Sequence, residues 1–319
     1  MKIGILGPGH IARGMAYTIR QLPETEGWAV ASRNGNRARA FADEFGFVRA
    51  YGSYEELYRD SDVELVYVST PHNCHYEQVK QLLLHGKHIL CEKVFTLNLA
   101  EAEELIQLAE ERRLFVSEAQ TLRFLPLSGT ARRILRDGVI GRVLQFSARI
   151  SYPLTHKERV MRPELGGGGL LDIGVYPLTV ASMLFGDKPE AALSDAVMTE
   201  TGVDAASSIY LRYPGGVSAV VNISIEGSRY LDGVINGTDG YLILRDVNHM
   251  ARLEQYDAQG QWVRNWEETP GISNFAPELS AAVHAIHDGR TECAEYPHQT
   301  LLSQMALLDR LRRQWSHDL

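Results

Sequence analysis

A lysine that closes an apolar run, and a tyrosine four residues beyond an aspartate, are the side chains best suited to move a proton in this chain. Cys91-Glu92-Lys93-Val94 continues a short β-rich segment, which places Lys93 at a strand's carboxyl end, where ligands of open α/β sheets bind. Farther on, Gly166-Gly167-Gly168-Gly169 opens a stretch of helical character in which Asp172 and Tyr176, spaced i and i+4, share one face. A phenol with a reference pKa of about 10 is a poor base at neutral pH. An ammonium about 4 Å away, at an effective dielectric of about 20, is worth about 4 kcal/mol, or about three pKa units. Lys93 and Tyr176 are therefore a workable proton-relay pair, with Asp172 holding a substrate hydroxyl. Hydride leaving the same carbinol carbon needs an acceptor.

The acceptor's binding turn stands at the N-terminus. Gly7-Pro8-Gly9-His10-Ile11-Ala12 has the G-x-G-x-x-A form, directly after an apolar strand and at the start of an amphipathic helix. Gly7 permits the tight turn, Gly9 lets backbone approach a pyrophosphate, and Ala12 lets the helix pack on the strand. The helix start at His10 and Ile11 supplies free amides and a positive dipole. The end of the second strand reads Ala31-Ser32-Arg33-Asn34-Gly35-Asn36-Arg37, without the acid that would hold a ribose 2′-hydroxyl. Ser32 can donate to a 2′-phosphate, and Arg33 and Arg37 can fork onto it. NADP is expected, with NAD possible.

These groups need a doubly wound scaffold, and residues 1–120 supply its pattern. Strands are expected at 2–6, 28–32, 65–69, 88–91 and 114–117, alternating with helices at 11–22, 37–45, 54–59, 76–85 and 99–112. The texture changes over 121–319. A helix at 126–136, a strand at 143–151 and the glycine-opened helix precede β-like segments at 192–199, 206–213, 217–225, 231–235 and 241–245, and helical periodicity returns at 278–287 and 301–315. The expected fold is α/β: a Rossmann domain, then an α+β domain with a large, mainly antiparallel sheet.

Composition narrows the function. The 319 residues carry a formal charge of −8 and no basic block that could track a phosphate backbone, so a nucleic-acid partner is excluded. Cys74, Cys91 and Cys293 lack C-x-x-C spacing, and His72, Cys74 and His75 have no second ligand pair, so no metal site is expected. Without a signal-like N-terminus or an apolar run near 18 residues, the expected setting is the cytoplasm, with no membrane partner. His156, Lys157, Arg159 and Arg162 either meet an anionic or hydroxylated substrate or form a solvated loop.

Taken together, the G-x-G-x-x-A turn, Ser69-Thr70-Pro71-His72-Asn73-Cys74-His75, Glu92-Lys93, Glu118-Ala119, Arg123-Phe124 and Gly-rich-Leu-Leu-Asp-Ile-Gly-Val-Tyr resemble the glucose-fructose oxidoreductase, inositol dehydrogenase and rhizopine-catabolism family over essentially the whole chain. Tyr176 and Ser32-Arg33 look like its branch of dimeric dihydrodiol dehydrogenases and NADP-dependent xylose dehydrogenases. The resemblance implies hydride exchange between NADP and a sugar, cyclic polyol or diol. It also implies that Thr70, Pro71, His75, Glu92 and Lys93 border the cofactor, that Arg123 joins Asp172 and Tyr176 at the substrate, and that the C-terminal sheet pairs subunits into a homodimer or higher oligomer. Two positions depart from the pattern: Val94 replaces the usual proline, and Gln120-Thr121-Leu122 lacks the branch's tryptophan, which changes the substrate wall. The alternatives are a catalytically inactive dinucleotide-binding regulator, or a reductase of an anhydro-sugar or biliverdin-like substrate.

Overall fold

In the computed structural model, residues 1–267 and 273–315 are described, and they divide into two compact units: 1–121 with 273–302, and 122–267 with 303–315. The first unit is built on six parallel strands: β1 (Lys2–Leu6), β2 (Glu26–Ala31), β3 (Arg49–Tyr51), β4 (Leu65–Val68), β5 (His88–Glu92) and β6 (Val116–Ala119). Their order is β3-β2-β1-β4-β5-β6, so the strand order reverses between β1 and β4. Such a reversal leaves a crevice beyond the strands' carboxyl ends, which is where a doubly wound sheet binds its ligand.

Helices α1 (His10–Gln21), α2 (Gly35–Phe45), α3 (Tyr54–Arg59), α4 (His72–Leu84) and α5 (Leu99–Arg112) connect the strands. Their starts are chemically marked. Asn34 caps α2 by accepting from the amides of Asn36 and Arg37, Ser53 and Glu56 form a capping box on α3, and Asn98 caps α5. Three differences from the sequence expectation have a local physical cause. β3 was not expected, because three half-buried residues at an edge give no period. Helix α4 begins at His72 instead of 76, with Pro71 in extended backbone as its cap. The sixth strand runs 116–119 instead of 114–117. Arg113 turns left-handed (φ 55°) and the Leu114 amide closes α5 on the Ala109 carbonyl, so pairing starts only at Val116.

Helix α8 (Ala276–His287) belongs to this unit. Leu279 and Val283 are fully buried in one cluster with Ile3, Met15, Ile19, Leu65 and Tyr67. Near its start, Glu278 is fully buried. One carboxyl oxygen accepts from the Thr121 hydroxyl at 3.0 Å, and the other has no partner among the described residues.

The second unit carries eight strands: β7 (Val143–Ser151), β8 (Ala191–Met198), β9 (Asp204–Arg212), β10 (Ser218–Ser224), β11 (Gly233–Gly237), β12 (Gly240–Arg245), β13 (Arg252–Asp257) and β14 (Trp262–Glu267). Their order is β14-β13-β12-β11-β7-β10-β9-β8, and only β7 and β10 run parallel. Helices α6 (Pro126–Arg136) and α7 (Val175–Phe185) pack on this sheet, which elsewhere exposes Leu193, Val197 and Tyr210. Strands β13 and β14 were not expected. Glu254 is buried on β13 between Arg245 (3.0 Å) and Arg252 (2.6 Å), so ion pairs stand where the sequence pattern needed apolar residues, and β14 is nearly all exposed. The segment Pro163–Phe185, 23 residues long, meets the length and composition of a membrane span, but most of its apolar window is buried inside the protein.

Burial raises the Glu278 carboxyl well above the ordinary carboxylate range, with Glu92's charge adding to the effect. An unfolded glutamate ionises near pH 4.3, so above about that pH the unfolded chain releases a proton that the folded chain keeps, and each further pH unit costs about 1.4 kcal/mol of stability. Glu278→Gln should therefore match wild type in thermal unfolding near pH 4 and exceed it increasingly as pH rises above that, until the folded carboxyl itself ionises. A Tm difference that does not depend on pH contradicts the buried, protonated carboxyl.

Candidate active site

The chain turns sharply after β1. Gly7 sits at φ 93°, a left-handed conformation, and a Cβ there would stand 2.7 Å from the Thr70 methyl group. Its amide donates to the Ala31 carbonyl at 3.0 Å, and its carbonyl accepts from the Ser69 hydroxyl at 2.8 Å, tying the turn to the ends of β2 and β4. Gly9 caps α1 without a side chain, so no side-chain oxygen occupies the first amides, at His10 and Ile11. Ala12 is fully buried, as close packing of helix on strand requires. This is a cradle that a Cβ at Gly7 would fill, with an uncapped helix start aimed out of it, and it fits a dinucleotide pyrophosphate.

At the end of β2, Ser32 is buried and its Oγ accepts from the Asn34 amide at 3.2 Å. Arg37 reaches across the turn to the Pro8 carbonyl at 3.4 Å. The Tyr54 phenol, pushed up by burial, lies within reach of the charges of Arg33 and Arg37, which act the other way. Two guanidinium groups and a hydroxyl thus gather beside the dinucleotide turn, with no carboxylate at the strand end. That donor set suits a phosphate and gives a 2′-hydroxyl no anionic acceptor.

The turn after β5 carries Lys93, and three side chains pin its backbone. Glu92, buried beneath it, accepts from the Lys93 amide at 3.3 Å and from the Tyr67 hydroxyl. His75 is fully buried, with Nδ1 2.9 Å from the Val94 carbonyl and Nε2 2.9 Å from the Thr70 carbonyl. Glu118 accepts from the Phe95 amide at 2.8 Å and from the Tyr296 hydroxyl at 2.6 Å. The Lys93-Val94 peptide is cis, with valine where the resembled family usually has proline. Burial lowers the His75 pKa, so its neutral ring donates its one N–H to one of these two carbonyls, and burial raises Glu92. His75 and Glu92 were expected to border the cofactor. The structure commits both of their polar ends to holding this turn, with Thr70 supplying a carbonyl to His75 and a hydroxyl to Gln78.

In the second unit, a single π-helical turn, Leu170–Gly174, precedes α7, and Asp172 lies at its middle. Wide turns of this kind are frequent at functional sites. The sequence suggested an ordinary helix; the glycines explain the difference. Gly166 (φ 72°) and Gly168 (φ 104°) are left-handed, the Gly168 amide donates to the Val160 carbonyl at 2.9 Å, and a Cβ at Gly167 would overlap that carbonyl. A Cβ at Gly174 would lie 2.5 Å from Ile223 on β10. The run wraps so closely on residues 160–162 that Arg159, just before them, reaches Asp172 with both nitrogens, at 2.6 and 3.3 Å. Asp172 is 3% exposed and Tyr176, one turn on, is half-buried.

The remaining candidates divide. Of the four basic residues before the glycine run, Arg159 is drawn into the site, whereas Arg162 pairs with Glu158 and Glu164 at 2.6 Å each and His156 and Lys157 are exposed. Arg123, expected at the substrate, is turned into the unit. It is 6% exposed, and its guanidinium donates to Ser182 at 2.7 Å near the end of α7, with Asp187 3.9 Å away. Sequence reasoning did not single out Asp204, whose carboxylate accepts from the Leu170 amide at 2.7 Å, because 34 residues separate the partners.

A doubly wound dinucleotide-binding unit, followed by a mixed-sheet unit with an aspartate and a tyrosine on one helix, defines a class of nucleotide-dependent oxidoreductases. Residues 1–120 match the model of an oxidoreductase family with an NAD-binding Rossmann fold, and residues 129–243 match the GFO/IDH/MocA C-terminal domain. The chain belongs to the GFO/IDH/MocA oxidoreductase family. Trans-1,2-dihydrobenzene-1,2-diol dehydrogenase of Mus musculus is 37% identical over 270 residues, covering 84% of this chain and 78% of that protein. The Bos taurus enzyme of the same name is 39% identical over 249 residues, covering 77% and 74%. Among solved structures, KijD10, a 3-ketoreductase from Actinomadura kijaniata in complex with TDP-benzene and NADP, superposes with a TM-score of 0.88 at 28% identity, covering 99% of this chain and 98% of that one. Levoglucosan dehydrogenase in complex with NADH shares the fold, with a TM-score of 0.87 at 18% identity over 98% and 96% of the two chains.

If Arg33 and Arg37 hold a 2′-phosphate, Arg33→Ala should weaken NADP binding in a calorimetric titration about tenfold, the loss of one charge-assisted contact, and leave NAD within about twofold. Equal losses for the two nucleotides would remove Arg33 from phosphate recognition.

Proposed function

We propose that this oxidoreductase uses NADP to interconvert a carbinol and a carbonyl on a diol, cyclic polyol or sugar. The observation that carries this reading is the helical face shared by a half-buried Tyr176 and an Asp172 whose carboxylate is forked by Arg159. The names of the relatives, diol dehydrogenases and an NADP-bound 3-ketoreductase, support the substrate class. The Ser32, Arg33 and Arg37 corner supports the nucleotide.

The nicotinamide ring, when bound, accepts or returns the hydride at its C4 carbon. The chain's own residues handle the rest. Tyr176 Oη takes the proton of the hydroxyl whose carbon gives up the hydride and its electron pair, so one C–H and one O–H bond are exchanged for a C=O bond. Lys93 is assigned the cation that stabilises the phenolate, because a phenol of ordinary pKa is protonated at pH 7. Asp172 accepts from a neighbouring substrate hydroxyl, which favours substrates with a second hydroxyl next to the reacting one. Its ion pair with Arg159 fixes the carboxylate's direction before substrate arrives. Arg123 is assigned no substrate contact. It braces the far end of the helix on Ser182.

Tyr176→Phe keeps the ring and removes the proton carrier. In steady-state kinetics kcat should fall by about a hundredfold or more, the usual contribution of a positioned acid-base group, while NADP affinity stays unchanged. Retention of most turnover would take the acid-base role from Tyr176.

A further inference from the structure

The helix that carries Asp172 and Tyr176 starts in four glycines, and glycine alone cannot hold a helix start in one place. A carboxylate from the neighbouring sheet does so. Asp204, the first residue of β9, is 5% exposed and directs both oxygens into the glycine turn. One oxygen accepts from the Leu170 amide at 2.7 Å. The other lies where a Cβ on Gly168 would overlap it, and a Cβ on Gly169 would come within 3.2 Å of the first. An acceptor at this point meets the unpaired amides and the positive end of the helix.

We propose that Asp204 is a positioning residue of the active site, clamping the glycine turn from β9 so that Asp172 and Tyr176 are held where substrate meets them. The inference rests on the reading of those two residues as the site. Three features separate the clamp from ordinary packing. Asp204 is a charged group retained in the interior, where an apolar residue would avoid the desolvation cost. Its target is the backbone two residues before Asp172. The glycines at 168 and 169 leave the space that its oxygens fill.

Burial raises the Asp204 carboxyl to about 6, opposed by the Leu170 and Gly169 amides and by the charge of Arg312. Arg312 belongs to α9 (His298–Arg312) and also pairs with Asp309 at 2.7 Å. The other element packed on the turn, β10, presents Ile223, and Arg159 with Asp172 forms the next ion pair along. The carboxylate is therefore charged above about pH 6 and neutral below it, and the neutral form retains only the weaker hydrogen bond.

Asp204→Asn mimics that neutral form and Asp204→Ala removes the clamp. In wild type, the substrate KM should rise as pH falls through about 6. In Asp204→Asn the raised KM, about fivefold above wild type at pH 8 for loss of the charge-assisted part of the bond, should persist at every pH, with kcat less affected. Hydrogen exchange of residues 166–176 in the nucleotide-free chain supplies a readout that needs no substrate. It should rise at least tenfold in Asp204→Ala and much less in Asp204→Asn. An Asp204→Asn enzyme with the wild-type KM profile, or unchanged exchange in Asp204→Ala, overturns the clamp. Raised exchange in Asp204→Ala, together with full turnover in Tyr176→Phe, would overturn the proposed function and leave the clamp standing.

Discussion

Close approach of backbone to oxygen governs both halves of this protein. At Gly7 the chain passes so near the Ser69 and Thr70 backbone and methyl group that a side chain cannot fit, and at Gly167 and Gly168 it passes equally near the Val160 carbonyl and the Asp204 carboxylate. Each passage ends in the first turn of a helix. In the first unit the free amides of that turn are left for a ligand, because Gly9 offers no cap. In the second they are met by an internal carboxylate, and the helix is devoted to carrying side chains. One local device thus gives an anion site in one unit and a fixed pair of polar residues in the other.

The Lys93 turn follows a different rule. A polar turn among buried strands is stable only when its amides and carbonyls find partners, since an unpaired buried group costs about 1 to 3 kcal/mol. Glu92, His75 and Glu118 supply those partners, and each is itself bonded elsewhere, to Tyr67, Thr70 and Tyr296. Two of the tethered elements, β4 and the loop before α4, border the sheet's reversal point, so the lysine is fixed to the same framework that shapes the dinucleotide turn. Charge held in this way is costly to bury, which is why Glu92 and Glu278 are pushed toward their neutral forms.

The sequence carried this plan where local chemistry and periodicity agree. The G-x-G-x-x-A turn, β1, β4, β5, α6 and β7 fall where pattern and punctuation put them, since each signal lies within a dozen residues. What escaped is what depends on distant partners. β13 was hidden because Glu254 replaces an apolar residue and is neutralised by Arg245 and Arg252. The inward turn of Arg123 depends on Ser182, and the role of Asp204 on Leu170. The π turn at Asp172 follows from contacts of Gly167, Gly168 and Gly174 with Val160, Asp204 and Ile223, none of which a spacing of i and i+4 can report.

The central claim, that the site oxidises a carbinol by giving its hydride to NADP, is met most directly by following the absorbance of reduced nicotinamide. Purified protein would be mixed with NADP or NAD and trans-dihydrodiols, aldoses, inositols or anhydro-sugars, and with the reduced nucleotides and the matching ketones. NADP-linked turnover confined to one group of vicinal diols or sugars is the predicted result. Tight NADP binding with no absorbance change in either direction across the panel would contradict it, and would make the chain a nucleotide-binding protein without this chemistry.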